Sequence, residues 1–308
     1  MSAIDDRLKN FRVGNTELAD ISAFFGEDAR VFVKMEMQNA TGSAKDRAAF
    51  YIIKTALEDG RLKPGGSIVE ASSGNTGIAL AAIAQELGIG CKIFMPESMS
   101  EERKELLRSL GADLICTPAK QGMTASIEAA DKYVEEHENC ILADQFANPA
   151  NPLAHFETTG PEIWEQSAGD IDIFVAGVGT GGTICGCSKY LKSQNPDIAA
   201  IAVGPKSFDL FADAKTAPTH GLQGLSDLQT EIVKGGLAEE LIDLYIQCVD
   251  EDAFKMMKEF YLETGVKIGI SSGAVLYAIG EVLKTSPGKR IVGIMHDTGE
   301  RYDSMNIF

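Results

Sequence analysis

SIVEASSGNTGIALA, residues 67–81, reads as a strand, a loop of small polar residues and the start of a helix. SIVEA is a short apolar run. SSGNTG supplies the turn, and IALAAIAQELG continues as an apolar helix to Gly88, the residue type that ends helices in a left-handed conformation. DIFVAGVGTGGTICG, residues 172–186, repeats the arrangement. Further short apolar runs lie at 31–37, 91–96, 113–118, 140–144, 198–204 and 290–296, with helical stretches such as EERKELLRSLG between them. Strands alternating with helices predict an α/β fold with mainly parallel sheets. ANPANPLAHF (147–156), with two Asn-Pro steps, is the best punctuation and reads as a crossover between two α/β units; the helix resumes in ETTGPEIWEQ.

The chain has 308 residues, 44% hydrophobic and 24% charged, enough for one large or two ordinary domains with a real core. A net charge of −17 disfavours nucleic acid and anionic membrane surfaces as partners. No apolar run reaches the ~20 residues needed to span a bilayer, and MSAIDDRLKNF lacks the apolar centre of a signal peptide. The six cysteines are scattered, with Cys185-x-Cys187 inside a helical pattern that turns the two side chains apart. They read as structural thiols in a reducing cytoplasm. The four histidines are too dispersed for a metal cluster, and no metal site is expected.

Three loops and one lysine carry the chemistry. In TGSAKDRAAF (41–50), Ser43 and Asp46 have the spacing of a capping box, which predicts a helix from there to about Gly60. Lys45 then sits in the first helical turn, where the helix dipole disfavours a cation. One reading is a solvated lysine beside Asp46; the other is an amine of lowered pKa suited to Schiff-base or general-base work. The Ser72–Gly77 loop lies at the carboxyl end of a strand, where helix amides and small hydroxyls can hold a carboxylate. The second loop, 177–183, has glycines at 177, 179 and 182 in G-x-G-x-x-G order. A dinucleotide site would need an acidic residue at the end of the next strand, but that strand ends Val203-Gly204-Pro205. The loop therefore reads as a cradle for a single phosphate, aided by the Thr180 and Thr183 hydroxyls. GISSGA (269–274) opens a further helix. An anion loop, a phosphate loop and a candidate Schiff-base lysine are the parts that pyridoxal phosphate (PLP) needs to act on an amino acid.

Nearly end to end, the chain resembles the cysteine synthase (O-acetylserine sulfhydrylase) family of fold-type II PLP enzymes. The resemblance rests on VGNTEL (13–18), GSAKDR (42–47), ASSGNTG (71–77), MPESMSEERKELLRSLGA (95–112), DQFANPANP (144–152), TTGPEIW (158–164), GVGTGGTICG (177–186), GISSGA (269–274) and DTGERY (297–302). It implies two three-layer α/β domains of the tryptophan synthase β kind with PLP between them. The smaller, mobile one would span 40–152, and the larger 1–39 with 153–308. Lys45 would be the Schiff-base lysine and proton-transfer base. Asn75 would hydrogen-bond the cofactor's 3′ oxygen. Gly179, Thr180, Gly181 and Thr183 would bind its phosphate, and Ser271 would face its ring nitrogen. Ser72, Ser73, Thr76 and Gln145 would bind the substrate carboxylate. A cytoplasmic homodimer acting on a small amino acid is implied.

The departures from the family bear on substrate. Glu17 stands in VGNTEL where the family usually has proline, and Asn39-Ala40-Thr41-Gly42 lacks the usual proline before the lysine motif. The strand end that usually reads V-E-P is Val203-Gly204-Pro205. The largest change is HGLQGLSDL (220–228), in place of an apolar glycine loop that lines the family's substrate mouth. Asp227 is a solvated turn residue on one reading. On another it binds the ammonium of a second amino acid, or acts as an acid or base, and repels hydrosulfide. The altered loop also argues against docking of a serine acetyltransferase tail. The expected reaction is cysteine synthesis from O-acetylserine and sulfide. The alternative is cysteine β-elimination and replacement, giving hydrogen sulfide and lanthionine, which Asp227 favours. A non-catalytic paralogue would have no need for Lys45.

Overall fold

The computed structural model describes residues 11–72, 74–212, 214–215, 220–226 and 229–308. They fall into two compact units, one built around Lys45–Asn151 and one from Gly14–Ala44 with Pro152–Phe308. The chain enters the second unit first, with β1 (Leu18–Asp20) antiparallel to β2 (Arg30–Met35).

It then builds the other unit. Helix α1 (Lys45–Glu58) leads to β3 (Ser67–Ala71), α2 (Asn75–Leu87), β4 (Gly90–Pro96), α3 (Glu101–Ser109), β5 (Asp113–Thr117), α4 (Gly122–Glu136) and β6 (Cys140–Leu142). The four strands pair in the order β5-β4-β3-β6, all parallel. Parallel pairing requires a crossover between neighbours, which is why helices alternate with strands here. Helix α2 is buried from Thr76 through Ala84, so its apolar run goes all the way round. It ends as its sequence predicts, with Gly88 left-handed and its amide reaching back to Ala84 and Gln85. Val69, Ala71, Phe94 and Ala130 form a separate core between the sheet and α4.

The return to the second unit runs through helix Ala150–Ala154, a π-helical turn His155–Thr159 and α5 (Gly160–Gln166). Next come β7 (Ile173–Gly177), α6 (Gly182–Gln194), β8 (Ala199–Pro205), the short pair β9 (Phe208–Asp209) and β10 (Ala214–Lys215), α7 (Glu231–Ala238), β11 (Leu244–Cys248), α8 (Asp250–Thr264), α9 (Ile270–Thr285) and β12 (Arg290–Met295). The six-stranded sheet has the order β1-β2-β12-β7-β8-β11, parallel except for β1. All five residues of β7 are buried because helices cover both faces. Val175, Val203 and Ile291 pack with Met257, Phe260, Val275 and Ile279 of α8 and α9. Phe174, Ala176, Val292 and Ile294 face the other way, against Ile184, Leu191 and Val233 of α6 and α7. The period of two along each strand thus separates two cores.

The α/β class with mainly parallel sheets is as the sequence predicts. The details differ where tertiary contacts outweigh local signals. Helix α1 starts at Lys45, one residue later than a capping box on Ser43 requires, because Ser43 forms a β-bridge with Asp297. Strand β6 stops at Leu142, and Asp144 turns the chain with φ of 48°. The helix expected after ANPANP already begins at Ala150 inside it. Strands β1 and β11 lie at the sheet's two edges and are absent from the expected strands: β1 is only the three residues LAD, whereas LYIQC of β11 is an apolar run. No helix among the described residues is long and apolar enough to cross a membrane.

Phe174 is fully buried on β7. Phe174→Ala should destabilise its unit by about 3–5 kcal/mol in a denaturant titration; a loss below about 1 kcal/mol would show that β7 is not central to the core.

Candidate active site

In the larger-sheet unit, β7 delivers the 177–183 loop to the carboxyl edge of the sheet. Val178 extends the ladder by donating its amide to the Val203 carbonyl, 2.8 Å. The chain then turns across a second loop, and Ser226 N–H donates to the Val178 carbonyl at 2.9 Å. A Cβ on Gly179 would lie 2.4 Å from the Gly224 carbonyl oxygen, so that approach admits only glycine. Gly181 caps α6 in the left-handed region at φ of 89°, and a Cβ there would lie 2.5 Å from Val233. No side chain of the cap residue closes the first turn of α6, so its amides are presented as anion donors.

The threonines are held by named partners. Thr230 donates its hydroxyl to the Thr180 carbonyl at 2.7 Å and caps α7 by accepting from Val233 N–H at 3.1 Å. Thr180 Oγ1 accepts from Gly182 N–H at 3.3 Å. Thr183 Oγ1 lies 3.2 Å from His155 Nε2, and His155 Nδ1 lies 2.9 Å from Thr159 Oγ1. His155 is itself placed by the π-helical turn, a distortion that recurs at functional positions. Ser271, in the first turn of α9, is 4% exposed, and its hydroxyl makes no hydrogen bond among the described residues. A Cβ on Gly224 would lie 3.6 Å from that hydroxyl.

The segment leading into Lys45 belongs to the same unit. Gly42 carbonyl accepts from Thr298 N–H at 3.1 Å, Ala44 N–H donates to the His296 carbonyl at 2.8 Å, and Arg301 donates to the Thr41 carbonyl. Residues 41–44 are thus laced along 296–301, and Lys45 follows as the first residue of α1.

The other unit brings Ser72, Thr76 and Gln145 together. Ser72 Oγ accepts from Gly74 and Gly77 N–H at 3.3 and 3.2 Å, which leaves its own proton to donate. Thr76 donates to Gln145 Oε1 at 2.5 Å, so the Gln145 amino group is the outward donor of the pair. Asn75 is the first residue of α2. Ser73 and Asp227, the remaining expected site residues, lie outside the described residues.

Sequence reasoning missed Glu70, His155, Thr230 and His296, which act through other residues. Glu70 is 5% exposed and accepts from Ala71 N–H at 2.9 Å and Gln145 N–H at 3.2 Å. It holds the strand end and the Gln145 loop to one carboxyl group. Burial pushes its pKa from 4.5 to about 8; the two amide bonds oppose this and the charges of Asp144 and Asp131 add to it. An acid inside an apolar strand run was the available signal, as was the His155–Thr159 spacing of one helical turn. The thiols of Cys91, Cys185 and Cys248 are pushed up to about 12 by burial, which makes them poor nucleophiles.

A glycine cradle, a helix start whose cap residue has no side chain, two hydroxyls beside it and the buried Ser271, whose hydroxyl makes no hydrogen bond among the described residues, fit a phosphate-bearing group with a polar ring atom. At the end of β8, where a dinucleotide's ribose would need an acid, stands Gly204, and a Cβ there would lie 2.2 Å from the Tyr245 hydroxyl oxygen. Fold and site together define an α/β enzyme that holds a phosphorylated cofactor. A family model described as pyridoxal-phosphate dependent enzyme matches residues 10–297, and the chain belongs to that family. It is 40% identical over 299 residues to a cysteine synthase of Staphylococcus aureus, covering 96% of this chain and 95% of that protein. Among solved structures, a cysteine synthase from Entamoeba histolytica matches with TM-score 0.90 and 36% identity, covering 98% of this chain and 90% of the other. A hydrogen sulfide-producing enzyme from Fusobacterium nucleatum matches with TM-score 0.89 and 36% identity, covering 98% and 91%. The protein is a PLP-dependent, cysteine synthase-like enzyme of fold type II.

Glu70 keeps its proton in the folded state up to about pH 8, whereas the unfolded chain releases it near 4.5. Stability should therefore fall as pH rises through that window. Glu70→Gln should flatten this slope in denaturant titrations at pH 5.5 and 8, at the cost of one amide bond; an unchanged slope would mean the carboxyl is ionised throughout.

Proposed function

We propose that this enzyme carries out β-replacement on a β-substituted L-alanine, converting O-acetylserine and sulfide to cysteine and acetate. The observation that carries the reading is the glycine cradle, with Gly179 against the Gly224 carbonyl and Ser271 beside it, in a chain similar to cysteine synthases. PLP, when bound, supplies an electron sink for the carbanion formed at the substrate Cα.

The chain's own residues do the rest. Amides from Gly179 to Thr183 and the hydroxyls of Thr180 and Thr183 hold the phosphate. Asn75 donates to the 3′ oxygen. Ser271 would face the ring nitrogen with a neutral hydroxyl, which would leave that nitrogen largely unprotonated and suit elimination better than transamination. The Ser72 proton, Ser73, the Thr76–Gln145 pair and the first amides of α2 hold the substrate carboxylate. Lys45 would hold the cofactor through its Nζ, and the same amine would take the proton from the substrate Cα. Loss of acetate then opens Cβ to hydrosulfide.

A second reading has specific support. In the sequence an aspartate, Asp227, directly follows Ser226, whose N–H bonds to the Val178 carbonyl, and the Fusobacterium nucleatum relative is a hydrogen sulfide-producing enzyme. On that reading cysteine loses sulfide and a second cysteine adds its thiol, giving lanthionine, with Asp227 binding the incoming ammonium.

The purified holoenzyme should form cysteine from O-acetylserine and sulfide and release no sulfide from cysteine alone; steady sulfide release from cysteine would overturn the first reading in favour of the second. Under the second, Asp227→Gly should shift preference from cysteine to O-acetylserine. Lys45→Ala should lose the protein's visible absorption and activity by on the order of 10²–10⁴-fold, and retention of both would remove Lys45 from the mechanism.

A further inference from the structure

We propose that His296 is a positioning residue whose neutral imidazole sets the phosphate cradle in register with the segment leading into Lys45; this rests on reading 177–183 as that cradle. His296 follows the last residue of β12 and is 8% exposed. Three of its hydrogen bonds run to three site segments. Its Nε2 accepts from Gly177 N–H at 3.1 Å, its carbonyl accepts from Ala44 N–H at 2.8 Å, and its amide donates to Ser272 Oγ at 2.9 Å. Gly177 opens the cradle, Ala44 precedes Lys45, and Ser272 follows Ser271.

The backbone bonds could be made by any residue with an amide. The imidazole bond could not, and the sheet explains why it is needed. The pairing of β12 with β7 is registered only as far as Gly293 opposite Val175, while β12 stays paired with β2 to Met295 opposite Met35. The strands diverge where the cradle begins, and Gly177 N–H faces the gap without a strand carbonyl to meet it. His296 Nε2 supplies the missing acceptor. To accept, that nitrogen carries no proton, so the ring is neutral with its proton on Nδ1. The space is closed on the other side too, since a Cβ on Gly177 would lie 2.7 Å from Leu225 and 3.3 Å from Nε2. A buried amide left without an acceptor costs free energy, and a loop start that seeks another partner no longer fixes the amides behind it.

The test compares His296→Leu, which removes the acceptor, with His296→Gln, whose Oε1 reaches the place of Nε2. Each holoenzyme is diluted into excess PLP scavenger, and cofactor release is followed by visible absorbance; thermal melting of each apo-protein is measured alongside. His296→Leu should release PLP about tenfold faster or more, and His296→Gln should stay within about threefold of the unsubstituted protein, with similar apo melting for both. Wild-type release from His296→Leu would overturn the inference. So would equal leakage from both variants, which would show that ring volume matters rather than the acceptor. Gly179→Ala should also leak; if it retains PLP like the wild type, the phosphate-cradle reading fails and takes this inference with it. Fast release from Gly179→Ala with wild-type release from His296→Leu would leave the cradle standing and remove His296 alone.

Discussion

A parallel sheet can be joined only by crossovers, and each crossover here is a loop followed by a helix. Strand ends and helix starts therefore collect at one edge, where backbone amides without helical partners point outward. Both chemically interesting loops of this chain, 72–77 and 177–183, are consequences of that constraint. Peptide N–H groups and hydroxyls, rather than arginines, are what these loops offer an anion, so a chain of charge −17 is compatible with the proposed phosphate and carboxylate sites.

The constraint also explains what the glycines do. At Gly179 a side chain would strike the neighbouring loop's carbonyl, and at Gly181 the backbone itself is left-handed. These positions make the cradle close enough to be useful, and the supporting contacts keep it there. Thr230 fastens the Thr180 carbonyl from α7, while His155 steadies the Thr183 hydroxyl from the π-helical turn. In the other unit Glu70 does comparable work, joining the end of β3 to the Gln145 loop by a single side chain.

Much of this is legible in the sequence, because the signals are local. IFVAG is a continuous apolar run and SIVEA one interrupted by Glu70, the reading of strands covered on both faces. The glycine spacing of 177–183 is also local and marks a phosphate loop, although an acid at 204 alone does not separate the two kinds of site, since the family usually carries one there. What escapes is set by contacts across long stretches of chain. Ser43 looks like a helix cap until Asp297, far along the sequence, pairs with it as a strand. Edge strand β1, three residues long, carries no strong pattern, whereas the apolar run LYIQC of edge strand β11 is legible in the sequence. Glu70 and His296 hydrogen-bond backbone amides, and an amide partner leaves no trace in residue identity.

Gly204 and Tyr245 depend on each other. The glycine at the end of β8 leaves room for the Tyr245 ring on the next strand, with the hydroxyl bonded to the Pro205 carbonyl at 3.2 Å. An acid at 204 would place a new side chain inside the tyrosine. The family usually carries a glutamate at this place, so in this chain the loss of that acid and the seat of the Tyr245 ring go together: restoring a side chain at 204 requires the tyrosine to turn away from the end of β8.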